Sequence, residues 1–187
     1  YLFAALLLPI FSRMLKLKES VDEIIYFSFK TLMGFALILT VFSCFYSNQI
    51  IELRYDNYIS DSSEILSILM VCFLFVSSTY IFGTLLTANG DLFYLNLIAG
   101  VGVILNIILN LILIPKDGAF GSAVASLITQ FLTAIGQIVL CFYVFRFNFF
   151  SIFSRLVIFL IGLVLFGYYL NQTISVFYLS VIFYFSF

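Results

Sequence analysis

The sequence predicts an all-α protein that crosses a membrane several times, a polytopic transmembrane helix bundle. Hydrophobic residues make up 64% of the 187 residues and charged residues only 9%, whereas soluble domains carry about 25% charged residues. The few charges leave long uncharged runs between them, each able to cross a hydrocarbon core of ~30 Å as a helix rising ~1.5 Å per residue. We expect about four to five complete spans plus partial spans at both ends.

The composition also excludes several classes of protein. A net charge of -1 excludes a basic surface for nucleic acid, which needs clustered Lys and Arg. Cys44, Cys72 and Cys141 lie inside apolar runs, and the chain has no histidine. We therefore predict no metal site, no cofactor and no nucleic-acid partner, and we interpret the cysteines as small packing residues.

The N-terminal part reads as the end of one span and a water-exposed segment. Residues 1–11 are too short to cross a bilayer, so we expect a fragment of a longer protein, with 1–187 forming a single transmembrane domain. The segment 12–30 contains four basic and three acidic residues. This mixture predicts an aqueous connection that is partly an amphipathic interfacial helix.

Four complete uncharged runs follow, and each has the length of a membrane span. They are 31–51, 65–90, 92–115 and 118–145. An acidic loop containing Arg54, Asp56 and Asp61 follows the first run, and Ser62-Ser63-Glu64 resembles a helix start because its oxygens suit free amide groups.

Short turns predict that neighbouring spans are antiparallel. The first is Ala88-Asn89-Gly90-Asp91, and the second is Pro115-Lys116-Asp117-Gly118, in which the proline stops the helix and the glycine tolerates the turn. A fifth span follows Arg146. We expect it to end at a turn formed by Asn171-Gln172-Thr173, before a truncated sixth span.

The basic residues predict the orientation of the bundle. If the spans alternate, one side holds six cations and the opposite side holds Arg54 and Lys116. The six are Arg13, Lys16, Lys18, Lys30, Arg146 and Arg155. Because positively charged loops stay in the cytoplasm, we expect the loop 12–30 inside and the turn 115–118 outside.

The complete spans contain no charge, which argues against a proton relay or a catalytic dyad, so we predict no catalytic residue and no enzyme. The span after the second turn carries Ser122, Ser126, Gln130, Thr133 and Gln137 on one helical face. Gly121 and Ala125 beside them form a small-xxx-small pair for helix packing. The polar face either binds another helix or lines a cavity in which Gln130 and Gln137 contact a polar substrate.

The preceding span poses the same alternative. Asn106 and Asn110 share a face, and they either bond across helices or line a cavity. At the ends of the 12–30 segment, Arg13 and Lys30 are candidates for contact with a lipid phosphate, although setting the topology would also explain them.

Two stretches resemble bacterial O-antigen and polysaccharide flippases of the multidrug and oligosaccharidyl-lipid exporter superfamily. They are LLLPIFSR, at residues 6–13, and LLTANGDLFYLNLIAGVGVILNIILNLILIPKDGAFGSAVASLITQ, at residues 85–130. The match is most specific over 79–131, in the order L-x-A-x-G, N-x-x-L-N-x-x-L-I-P and G-x-x-G-x-A.

The resemblance implies one lobe of a two-lobe transporter in the inner membrane, most of the C-terminal lobe. Such a transporter moves an undecaprenyl-pyrophosphate-linked oligosaccharide by alternating access around a central cavity. The implied partners are the lipid-linked oligosaccharide, membrane lipid and the N-terminal lobe, with a polysaccharide polymerase and a chain-length regulator as further partners. The cavity candidates remain Arg13, Lys30, Asn106, Asn110, Gln130 and Gln137.

Three other functions stay open. A cation-coupled drug antiporter of the same superfamily would need an intramembrane Asp or Glu outside this segment. A membrane polysaccharide polymerase or glycosyltransferase would need a larger outer loop with catalytic residues. A purely structural subunit is the third alternative.

Overall fold

The computed structural model describes residues 2–53, 55, 58–146 and 150–185, and these ranges form helices without a strand. The all-α prediction is confirmed. Arg54 and Asp56 of the predicted acidic loop lie outside the described residues, as do 147–149 at the start of the predicted fifth span. The helices are α1 (Leu2–Lys16), α2 (Asp22–Phe45), α3 (Ser47–Glu52), α4 (Ile59–Asn89), α5 (Leu92–Phe145) and α6 (Phe150–Phe185).

Helices α2, α4 and α5 are long and apolar enough to cross a membrane. Their outward side chains are apolar as well: Leu111 is 72% exposed and Val139 is 60% exposed. A surface of large aliphatic side chains is stable in lipid and would be costly in water. The chain is therefore a membrane protein.

Helix α5 is a hairpin of two antiparallel halves, 92–117 and 119–145. Gly118 separates them with φ 56° and ψ -129°, a conformation available to glycine. Contacts between the halves are spaced almost equally on either side of this residue. Gly102 meets Thr133, Gly136 meets Ile98, and Gly121 meets the backbone of Leu113.

The turn predicted at Asn89-Gly90 is present, and its geometry explains the glycine. Gly90 has φ 89°. Its N–H donates to the Thr87 carbonyl at 3.2 Å, and the Asp91 N–H donates to the Leu86 carbonyl at 3.0 Å. These two bonds form a Schellman motif, which satisfies carbonyl groups at the end of α4 and reverses the chain.

The connection from α1 to α2 is also tight. Lys18 has φ 56° and takes the position in which glycine is usual: its N–H donates to Leu15, and the N–H of Glu19 donates to Met14. Only five residues separate the two helices. The segment 12–30 contains no separate helix of its own, because residues 12–16 end α1 and residues 22–30 begin α2.

Four local predictions are corrected. Helix α4 begins at Ile59, not at Ser62-Ser63-Glu64, and the predicted span 31–51 is broken at Tyr46, where φ is -113°. Pro115 does not stop the helix: it lies inside α5, whose break comes three residues later. Helix α6 continues through Asn171-Gln172-Thr173, so the predicted turn there is absent.

The packed core lies at one end of the bundle, where α4 contacts α1, α2 and α5. This core contains the fully buried side chains of Phe11, Ile81, Phe82, Leu85 and Leu86. We call this end the basic end, because the helix ends and turns around it carry Arg13, Lys16, Lys18, Arg146 and Arg155. Helix α6 packs against the edge of this core through Leu156 and, among the described elements, contacts α2 alone.

Candidate functional site

Two polar regions contain three of the six predicted cavity residues, Asn106 and Asn110 in the first and Lys30 in the second. The first is the polar seam, formed by Asn106, Asn110, Thr129 and Thr133 between the halves of α5. The second is the basic pocket, formed between α2 and α6 by Tyr26, Lys30, Gly34, Arg155, Leu156 and Phe159. They lie on different pairs of helices, so the structure does not unite the candidates in one site.

In the polar seam the side chains form a continuous series of hydrogen bonds. Asn110 Nδ2 donates to both the carbonyl and the Oδ1 of Asn106, each at 2.9 Å. Asn106 Nδ2 donates to Thr129 Oγ1 at 3.3 Å, and Thr129 Oγ1 donates to the Ala125 carbonyl at 2.8 Å. The seam thus links the two halves of the hairpin through one side-chain bond.

One acceptor in the seam remains unused. Asn110 Oδ1 is buried and accepts no hydrogen bond from the described residues. A buried amide oxygen without a donor costs free energy, about 1–3 kcal/mol. Asn110 can therefore still accept a hydrogen bond from a partner.

Gly121 and Ala125 lie next to the seam, where the halves of α5 approach most closely. Ala125 is fully buried. A Cβ atom at Gly121 would lie 2.7 Å from the carbonyl carbon of Leu113. Only glycine fits there without moving the backbone, so this residue determines the approach of the two halves.

Gln137 lies in the interface between α4 and α5. It is 7% exposed, and its Oε1 accepts no hydrogen bond from the described residues. The absence of a side chain at Gly83 makes room for it: a Cβ there would lie 3.2 Å from Oε1. Gln137 thus fills a packed helix interface, not an open cavity.

Gln130 differs from Gln137 although both were predicted on one face. It is half-buried, and its amide forms no hydrogen bond with the part of the chain that the structure describes. Of the two glutamines, it is the one that retains access to a ligand or to another helix.

The two cations among the candidates also differ. Arg13 is exposed in the last turn of α1, where a positive charge suits the helix dipole. Lys30 is exposed too, but it lines the basic pocket, a cavity of about 300 Å³ that it shares with Arg155. The arginine Nη1 donates to the Tyr26 hydroxyl at 2.7 Å.

Sequence reasoning missed Thr129, Tyr26 and Arg155 as site residues. Thr129 had a usable signal, because it follows Gly118 by almost the same number of residues as Asn106 precedes it. Tyr26 and Arg155 are 129 residues apart. No local pattern connects them, since their contact depends on how α6 packs against α2.

The described residues contain no group of three or more His, Cys, Asp or Glu side chains that could hold a metal ion. The three cysteines are free thiols within helices. The described side chains can therefore form hydrogen bonds through amides and hydroxyls and can bind anions through two cations.

Comparison with protein-family models, with curated proteins and with solved structures finds no match to this chain.

Proposed function

We propose that the chain is part of a two-lobe transporter that flips a lipid-linked oligosaccharide across the bacterial inner membrane. The observation that carries the proposal is the ordered motif within 79–131, which resembles the polysaccharide flippases. Its glycines occupy the positions that shape the hairpin: Gly90 caps α4, Gly118 reverses α5, and Gly121 permits the close approach. The resemblance therefore rests on glycines that shape the helix turns and the hairpin, and not only on a similar hydrophobic composition.

The distribution of polar groups supports a transport path in which uncharged side chains contact the sugar. Within α5, the stretches 92–115 and 118–145 contain amides and hydroxyls but no charged side chain. Amides bind sugar hydroxyls by hydrogen bonds, and they do so without the desolvation cost of an intramembrane charge. Asn110 and Gln130 are the residues that we assign to substrate or to the second lobe.

The orientation belongs to the same proposal. Six of the eight cations lie at or near the basic end, so we assign this end to the cytoplasm and the turn 115–118 to the outside. In intact cells a membrane-impermeant maleimide should label the full-length protein with Lys116→Cys. The Lys18→Cys variant should react only after permeabilisation. The reverse pattern would invert the topology.

Transport is tested with the full-length protein in liposomes that contain a fluorescent lipid-linked oligosaccharide. A membrane-impermeant glycosidase added outside digests only the sugars that face outward. With the transporter present, more than the outer half of the sugar should be digested, and protein-free liposomes should stop at half. Equal digestion in both would reject the flippase, and drug resistance conferred in cells would then favour the antiporter.

A further inference from the structure

The basic pocket combines two positive side chains with an apolar wall. Lys30 and Arg155 contribute the charges, while Gly34, Leu156 and Phe159 contribute the wall. No acidic residue is among the described residues that line it. Two cations brought together without a carboxylate repel one another, and an anion between them removes that repulsion.

Arg155 contacts Tyr26 in this pocket in two ways. Its Nη1 donates to the Tyr26 hydroxyl at 2.7 Å, and its guanidinium carbon lies 6.0 Å from the centre of the Tyr26 ring. A guanidinium has five N–H donors. The bond to Tyr26 uses one of them, so donors remain for the oxygens of a phosphate, which arginine binds in a bidentate manner.

The depth of the pocket matches the boundary between lipid headgroups and chains. Lys30 comes eight residues after the start of α2 at Asp22, about 12 Å along the helix axis. The part of α2 that follows Lys30 is uncharged. Arg155 likewise lies five residues after the start of α6. Basic pockets between membrane helices at this depth suit the phosphate of a lipid.

Gly34 leaves space beside the cations. Nothing lies within 4 Å of the position that a Cβ atom would take there. This space and the side chains of Leu156 and Phe159 form an apolar surface next to the charges, which suits the first carbons of a lipid chain.

We propose that the basic pocket binds a phosphate carried by a membrane lipid, with Lys30 and Arg155 contacting the phosphate oxygens and the apolar wall contacting the chain. Tyr26 is a positioning residue that orients the guanidinium. The site lies between α2 and α6, apart from the polar seam, and its binding does not depend on the transport proposal.

The test measures binding of fluorescent phosphatidylglycerol to the purified full-length protein in detergent. K30Q and R155Q should each weaken binding about fivefold, the effect of about 1 kcal/mol per cation near a membrane surface. The matched control is K16Q, which removes an exposed cation at the same end but outside the pocket, and it should leave binding unchanged. An equal loss in K16Q would show nonspecific attraction and overturn the site.

A second pair of variants tests the apolar wall. Gly34→Leu fills the pocket without changing a charge and should weaken binding at least about fivefold. Gly162→Leu is the control, because Gly162 on α6 also faces open space but does not line the pocket. Unchanged binding in Gly34→Leu would overturn the proposal.

Competition separates the two sources of phosphate. Unlabelled phosphatidylglycerol should displace the probe, whereas inorganic phosphate at the same concentration and diacylglycerol should not. Displacement by inorganic phosphate alone would show a simple anion site and reject a lipid.

If R155Q fails to fold, R155K serves in its place and should weaken binding less than K30Q, since it keeps the charge but loses the bidentate geometry.

Discussion

The polar seam and the basic pocket differ in how their polar groups are satisfied. In the seam, the asparagines and threonines bond to one another and to the backbone across a tight hairpin. In the pocket, Arg155 donates to Tyr26, Lys30 has no hydrogen-bond partner among the described residues, and a cavity of about 300 Å³ lies between the helices. The comparison shows that amides and hydroxyls in the middle of a helix hold helices together by bonding to one another, whereas Lys30 and Arg155 near the helix ends keep donors available to a ligand.

The largest effect should come from breaking the hairpin that creates the seam. In Gly121→Val the new Cβ would collide with the carbonyl of Leu113, so we expect the free energy of unfolding to fall by about 3 kcal/mol. Thermal unfolding of the purified protein measures this loss. Gly100→Val is the matched control, since open space surrounds Gly100. Similar losses in both would attribute the effect to helix propensity and not to the close approach.

A smaller effect of opposite sign is expected where a buried amide oxygen has no donor. Gln137→Met keeps the length of the side chain and removes the unsatisfied Oε1 between α4 and α5. The free energy of unfolding should rise by about 1 kcal/mol. A decrease in the denaturant midpoint would show that Gln137 forms a hydrogen bond in the protein. Gln137 would then stabilise a helix interface as the residues of the polar seam do.

The bond that joins the two halves of α5 should be weaker still. A double-mutant cycle of Asn106→Ala and Thr129→Ala isolates it, because both residues also have other contacts. The coupling energy should be about 0.6 kcal/mol, the average for such bonds in membranes. A coupling energy of zero would show that no side-chain bond joins the two halves. The seam would then no longer differ from the pocket in having its polar groups bonded within the protein.

The smallest effect on stability should come from the pocket. K30Q removes an exposed charge without an ion-pair partner lining the cavity, so the unfolding free energy should change by less than about 0.5 kcal/mol. Thermal unfolding in detergent without added lipid is the measurement. A large decrease in the free energy of unfolding would mean that Lys30 stabilises the fold. The pocket would then have a structural role, as the polar seam has.

Hydropathy predicted apolar helices long enough to cross a membrane, and three are present. The glycines indicated the two sharp turns, where residues 90 and 118 have positive φ. Hydropathy did not predict the break at Tyr46, which has no glycine or proline nearby. It also overrated Pro115, whose missing N–H costs one hydrogen bond near the end of a helix that other bonds maintain. At Asn171-Gln172-Thr173 three polar residues suggested a turn, but polar side chains do not interrupt backbone bonding.

The candidate sites were predicted as residue types but not as groups. Helical spacing correctly paired Asn106 with Asn110, which are bonded, because that relation is local. The same spacing put Gln130 and Gln137 on one face without showing that only Gln137 is buried. Arg155, which lines the same pocket as Lys30, comes from a helix more than a hundred residues away, and only tertiary packing brings the two together.

The contact of α6 with α2 alone has a consequence for biogenesis. Tyr26 and Arg155 are separated by 129 residues, and synthesis at ~5–20 residues per second places roughly 6–26 s between them. During that interval α1 to α5 can pack around α4, since their contacts do not involve α6. The pocket then forms when the last described helix docks. A lipid bound between Lys30 and Arg155 would be incorporated when α6 docks and would hold this helix against α2.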